Sequence, residues 1–133
     1  MEIDVRFASI SQDIDKWLDD RGITKNGTAM GQAIKTLEEC TELLDAINHN
    51  NEDKIMDAIG DIYVTLRGVS KVLDLPFDQC VQRAYDEIKD RRGFVSKGGT
   101  FVKDLPSHPD EGLQSKHSLL SMINHWRLGR KCI

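Results

Sequence analysis

The sequence predicts an all-α protein, a helical bundle of about four core helices with a small C-terminal β-hairpin and a short extra helix. Three observations carry that expectation. Long stretches place apolar residues three and four apart, most strictly Ile55, Ile59, Ile62, Leu66, Val69 and Leu73. Helix-breaking residues fall between those stretches, at Arg21-Gly22, Asn48 to Asn51, Pro76 and Gly93. β-favouring residues gather around one Gly-Gly pair, Gly98-Gly99, where they read as a hairpin rather than a sheet.

The first helix is expected over about Ser11 to Asp20, with Ser9 or Ser11 as N-cap, Ile14, Trp17 and Leu18 on one face, and Gly22 as its stop. After a turn at Asn26-Gly27-Thr28, a second helix is expected from about Thr28 to Asn48, with Met30, Ile34, Leu37, Thr41 and Leu44 as its core stripe. Lys35, Glu38, Glu42 and Asp45 lie beside that stripe. A third helix from about Glu52 to Leu73 carries the strict apolar seam, with Asp57 and Asp61 projecting from its other side along with Val64 and Gly68. A helix used on both sides suits a multi-helix or dimeric assembly. Pro76 opens a fourth helix, from about Phe77 to Arg92, with Phe77, Val81, Ala84 and Ile88 inward. The segment from Phe94 to Lys103 forms the hairpin, which must pack on helices because two strands alone are marginal. Residues 1–104 therefore read as one domain and 105–133 as an extension, with a short helix near Ser115 to Trp126.

A chain of 133 residues, 39% apolar and 30% charged, has the size and composition of one soluble domain. The net charge of −4 gives no electrostatic reason to bind a nucleic-acid polymer or an anionic membrane, while a small anion accompanied by Mg2+ remains compatible with an acidic site. Three cysteines, an odd number without Cys-x-x-Cys spacing, indicate a reducing compartment. The opening residues carry acids and no long apolar run, and no segment approaches the ~18 apolar residues of a membrane span, so a cytoplasmic location is expected.

The chemistry is expected in two acidic clusters about twenty residues apart, Glu38-Glu39-x-x-Glu42 and Asp57-x-x-x-Asp61. Like charges at this spacing repel, so the patches cost stability unless a cation neutralises them. All-oxygen ligands on two packed helices suit Mg2+ or Mn2+, and the absence of His argues against zinc or a ferritin-like di-iron centre. Gly60, beside Asp61, would allow a close approach. The plain alternative is a solvated acidic face. Lys89, Arg91 and Arg92 could clamp phosphate oxygens or simply complement a helix C-terminus. Trp17 could stack on a nucleobase or belong to the core. Cys40, among acids that would raise its pKa, reads as a structural thiol rather than a nucleophile.

Lys35-x-x-Glu38-Glu39-x-x-Glu42-Leu43 followed by Asp57-Ala58-Ile59-Gly60-Asp61 resembles the MazG-like members of the all-α nucleoside triphosphate pyrophosphohydrolases, whose relatives include dimeric dUTPases and dCTP pyrophosphatases. The likeness continues through Ala84 to Gly93 and the segment Gly99 to Lys103, covering roughly Trp17 to Lys103. It implies a helical dimer or dimer of dimers that binds Mg2+ and hydrolyses NTP or dNTP to a nucleoside monophosphate and pyrophosphate. It places metal ligands on Glu39, Glu42 and Asp61. The family's fourth position falls on Ala58, which cannot ligate, leaving Asp57 as the expected substitute; the family's Asn on the fourth helix is Asp86 here. Glu38 is the expected general base, with Lys35, Lys89, Arg91 and Arg92 holding the triphosphate. Two alternatives remain at this point: a non-catalytic helical interaction module, and an enzyme of narrower dUTPase-like or dCTPase-like specificity.

Overall fold

A computed structural model describes residues 2–104, with side chains from Val5 onward. Five helices and one hairpin follow in order: α1 Glu2–Asp20, α2 Ile23–Asn26, α3 Ala29–Asn48, α4 Glu52–Val72, α5 Phe77–Ile88, β1 Gly93–Val95 and β2 Phe101–Lys103. The chain divides into two compact units, residues 1–86 and residues 87–133. The expected helix near Ser115 to Trp126 lies outside the described residues.

Most boundaries follow from capping chemistry. Thr28 caps α3, its Oγ1 accepting from the Gly31 amide at 3.0 Å. The stop at Asn48 to Asn51 closes with Asn50 at φ 51° and the Asn51 amide donating to the Ala46 carbonyl at 3.0 Å, and Asn51 then caps α4 by accepting from the Lys54 amide at 3.1 Å. Gly22, at φ 76°, ends α1 in the left-handed region, as expected.

Two boundaries depart from the sequence reading. α1 starts at Glu2 rather than near Ser11. Ser11 is not a cap but a buried mid-helix residue, whose hydroxyl donates to the Phe7 carbonyl at 2.8 Å and meets the Tyr63 hydroxyl at 2.7 Å. α5 ends at Ile88, before the basic residues, so Arg91 and Arg92 lead into β1 rather than finishing a helix.

In the first unit α4 is the shared element, packing along α3 and also against α1 and α2. Its contact with α3 is made by small and polar residues. Thr36 donates to Thr65 at 3.0 Å, and Gly68 leaves room for Gln32, whose Oε1 would lie 2.5 Å from a Cβ at that position. The buried positions on the two helices are Glu39 and Ala46 on α3, and Ala58, Thr65, Gly68 and Ser70 on α4. The expected α3 core stripe is therefore corrected: Met30, Ile34, Leu37 and Leu44 are all exposed, Leu37 by 68%. They lie on a different side of α3 from the α4 contact, and no described element covers them. Along the α4 seam, Ile59, Leu66 and Leu73 are exposed while Ile55, Ile62 and Val69 are half-buried. On α5, Phe77 is half-buried, but Val81, Ala84 and Ile88 are exposed.

α1 lies on α4 through a polar ladder with a repeat of four residues. Ser11 meets Tyr63, Asp15 meets Arg67 and Asp19 meets Lys71, each pair at the same sequence offset of 52, so the two helices run parallel. The middle rung is the strongest. Arg67 grips Asp15 with two bonds, Nε to Oδ1 at 2.8 Å and Nη2 to Oδ2 at 2.5 Å, and donates to the Tyr63 hydroxyl at 3.2 Å. Its guanidinium also sits 5.0 Å from the Phe77 ring and 5.7 Å from the Tyr63 ring, which ties the start of α5 to the same point. Leu18 on α1, 1% exposed, is the largest fully buried side chain among the described residues.

In the second unit β1 and β2 pair antiparallel, Phe94 opposite Val102 and Val95 opposite Phe101, which is the expected hairpin. The Asp104 amide closes its base on the Arg92 carbonyl at 2.9 Å.

Candidate functional site

The acidic residues are positioned by the register of α3 on α4. The helices are antiparallel, with Gln32 meeting Gly68 and Thr36 meeting Thr65. Continuing that register along both helices brings Glu39 level with Asp61, and Glu42 and Leu43 level with Ala58. Glu39 is buried, 9% exposed, on the contact side of α3, and Asp61 is half-buried on α4. Glu38 and Glu42 are exposed on α3. Ala58 is 3% exposed, whereas Asp57, turned about 100° from it, is exposed. The interface position that could oppose Glu42 therefore carries a methyl group.

Lys35 lies one turn before the acids and serves two of them. Its Nζ donates to Glu38 and stands 3.7 Å from Oε1 of Glu39. The Glu38 bond, followed by the charges of Glu38 and Glu39, raises the Lys35 pKa above its ordinary value. The cost of placing a carboxylate inside a helix pair is thus offset in part by an ammonium from the same helix. Gly60 does not mediate a close approach: it is exposed, and a Cβ there would meet nothing within 4 Å. That role belongs to Gly68, two turns further on.

The donor chemistry fits a hard divalent cation at the Glu39–Asp61 level, where carboxylates from both helices stand abreast. Among the described residues no three His, Cys, Asp or Glu side chains converge to hold a metal ion unaided. A Mg2+ ion commonly keeps several waters and takes phosphate oxygens, so a sparse carboxylate set is compatible with it. Cys40, between Glu39 and Thr41, is a half-buried free thiol.

The remaining residues singled out from the sequence are distributed more widely. Trp17 is 46% exposed on α1, outside the core, with the Arg21 guanidinium over its ring at 5.8 Å. Asp86, near the end of α5, accepts from Gln82 at 3.2 Å. Lys89, Arg91 and Arg92 are exposed and belong to the second unit. Sequence reasoning missed Asp15, Tyr63 and Arg67, which set where α1, and with it Trp17, stands on α4. The signal was present as two polar series in step, Ser11/Asp15/Asp19 and Tyr63/Arg67/Lys71.

Residues 31–95 match the family described as the MazG nucleotide pyrophosphohydrolase domain. A 55-residue stretch is 36% identical to an uncharacterized 18.2 kDa protein from the rep–hol intergenic region of Haemophilus phage HP1, covering 41% of this chain and 34% of that protein. The match thus spans about a third of the phage protein's length. No solved structure matches the chain. No helix among the described residues is long and apolar enough to cross a membrane. The matched span encloses α3 and α4 almost whole, together with Glu39, Glu42 and Asp61, so that over residues 31–95 the chain is similar to the MazG nucleotide pyrophosphohydrolase domain.

Proposed function

We propose that this protein hydrolyses nucleoside triphosphates, NTP or dNTP, at the α–β phosphate bond, releasing a nucleoside monophosphate and pyrophosphate. The observation that carries the reading is the family match over residues 31–95, within which Glu39 and Asp61 stand level on packed helices. Glu39, Glu42 and Asp61 would hold Mg2+, with Mn2+ as a substitute, and Asp57, four residues before Asp61 on α4, would stand in for the ligand missing at Ala58. A divalent ion bound there supplies charge neutralisation on the phosphates and activation of water.

The chain's own groups have separate tasks. Glu38, exposed beside Glu39, accepts the proton of the attacking water. Lys35, already within reach of both glutamates, turns its ammonium to a phosphate oxygen when substrate arrives. Trp17 stacks on the base, its position fixed by the Asp15–Arg67 clamp two residues away. Asp86 contacts sugar or phosphate, and Lys89, Arg91 and Arg92 neutralise the polyphosphate. The apolar stripes on α3 and α4 are covered by further copies of the chain in a homodimer or homotetramer, since contiguous apolar surface of this kind marks association. The three odd cysteines suit a cytoplasmic enzyme, and removal of unwanted nucleotides from the pool is the proposed purpose.

A second reading, a non-catalytic helical interaction module, is favoured by Ala58 at a position where a ligand is expected. Thermal unfolding with Mg2+ and a non-hydrolysable nucleoside triphosphate separates the two. The enzyme reading predicts an upward shift in Tm that Glu39→Gln abolishes; an unshifted wild-type transition supports the interaction module. Comparing dUTP and dCTP with the other triphosphates tests whether specificity is narrow.

A further inference from the structure

The hairpin is apolar on both faces, and the two faces are not equally served. In the register of the strands, Gly93, Val95, Phe101 and Lys103 share one face, while Phe94 and Val102 lie on the other. On the first, the Phe101 ring fills the place of the side chain that Gly93 lacks, since a Cβ there would lie 2.6 Å from its Cζ. On the second, Phe94 is 61% and Val102 40% exposed. Among the described residues of this unit there is no further strand or helix beyond the last two residues of α5. Two paired strands are marginal in water and become stable when a helix or a third strand covers an apolar face.

The chain continues from β2 into residues 105–133, which belong to the same compact unit and lie outside the described residues. Within them Leu119, Ile123 and Trp126 recur at helical spacing, so a helix there presents all three on one face. The 14 residues from Leu105 to Ser118 reach at most about 50 Å, several times the ~10 Å length of a three-residue strand, and Pro106, Pro109 and Gly112 keep them from prolonging β2. The connection is long enough to turn back. We propose that the Phe94 and Val102 face of the hairpin is the docking site of the chain's own C-terminal segment, with Leu119, Ile123 and Trp126 covering the two side chains. The docked segment then steadies the strand into which Arg91 and Arg92 lead.

Hydrogen exchange on the full chain reads the cover. The amides of β1 and β2 are expected to exchange about tenfold or more faster in Ile123→Asp than in the wild type, while those of α3 and α4 keep their rates. Ile123→Asp leaves the hairpin's own sequence intact, so the comparison does not depend on a variant strand folding. Trp126 fluorescence, isolated by Trp17→Phe, is expected to move to longer wavelength in Phe94→Ser as the indole returns to water. Equal exchange rates in wild type and Ile123→Asp, or a Trp126 emission that Phe94→Ser leaves unmoved, overturn the proposal. Nuclear magnetic resonance on a mixture of labelled and unlabelled chains separates the occupants: contacts between Trp126 and Phe94 within one chain support the docked segment, and contacts found only between chains overturn it in favour of a second copy.

Discussion

Replacing Arg67 tests whether α1 is held on α4 by charge rather than by apolar burial. Arg67→Ala removes two bonds to Asp15, one to Tyr63, and the stacking of the guanidinium on Tyr63 and Phe77. The side chains of Arg67 and Asp15 are 14% and 27% exposed, so the pair is mostly withdrawn from water without being sealed. Breaking a fully buried pair costs about 3–5 kcal/mol, and partial access to water reduces this to about 2–3 kcal/mol. At roughly 4 °C per kcal/mol for a chain of this size, Tm falls by about 8–12 °C. A double-mutant cycle with Asp15→Ala, read by urea unfolding, is expected to give a coupling of about 1.5–2 kcal/mol. The apolar pair Asp15→Leu/Arg67→Met should recover much of the loss, because no charge is then stranded. A change within about 0.5 kcal/mol for Arg67→Ala would place the rung among ordinary surface ion pairs and refute the reasoning.

Gly60→Ala should stabilise by up to about 1 kcal/mol, since the methyl enters open space and Ala favours the helix; a lower urea midpoint would show that the position is crowded. Asp19 is held below its ordinary pKa of 3.8, first by the Thr24 hydroxyl and then by Lys71. Its contribution is therefore present above pH 3.8 and lost as pH falls through the lower folded value, so Asp19→Asn should flatten that part of the acid-unfolding curve. Leu37→Glu places a charge in the exposed α3 stripe and should dissociate the proposed homodimer or homotetramer while leaving the secondary structure intact, as measured by light scattering and circular dichroism; an unchanged scattering mass would show that the stripe is not the contact.

The helices were legible because periodicity and caps are local: Thr28, Asn51 and the Asn-rich stop did in the structure what their chemistry predicts. The inward faces were not. On α3 the most apolar positions, Met30, Ile34, Leu37 and Leu44, are exposed, and the contact with α4 is made by Gln32, Thr36 and Glu39, which a hydropathy pattern assigns to solvent. Periodicity identifies the stripe that seeks a partner but does not say whether the partner lies in the same chain. The spacing marks Asp57 and Asp61 as one cluster, four residues apart on α4, but does not tell that Ala58 between them is buried while Asp57 is exposed. The start of α1 was missed because Ser9 and Ser11 look like caps, and only a partner 52 residues away, Tyr63, explains a buried mid-helix serine.

Product analysis on a panel of NTPs and dNTPs with Mg2+ bears most directly on the central claim. The account predicts pyrophosphate and nucleoside monophosphate in equal amounts as the first products, with turnover lost in Glu39→Gln and in Asp61→Asn although both variants remain folded. Orthophosphate as the first product, or unchanged pyrophosphate release in both variants, would contradict it.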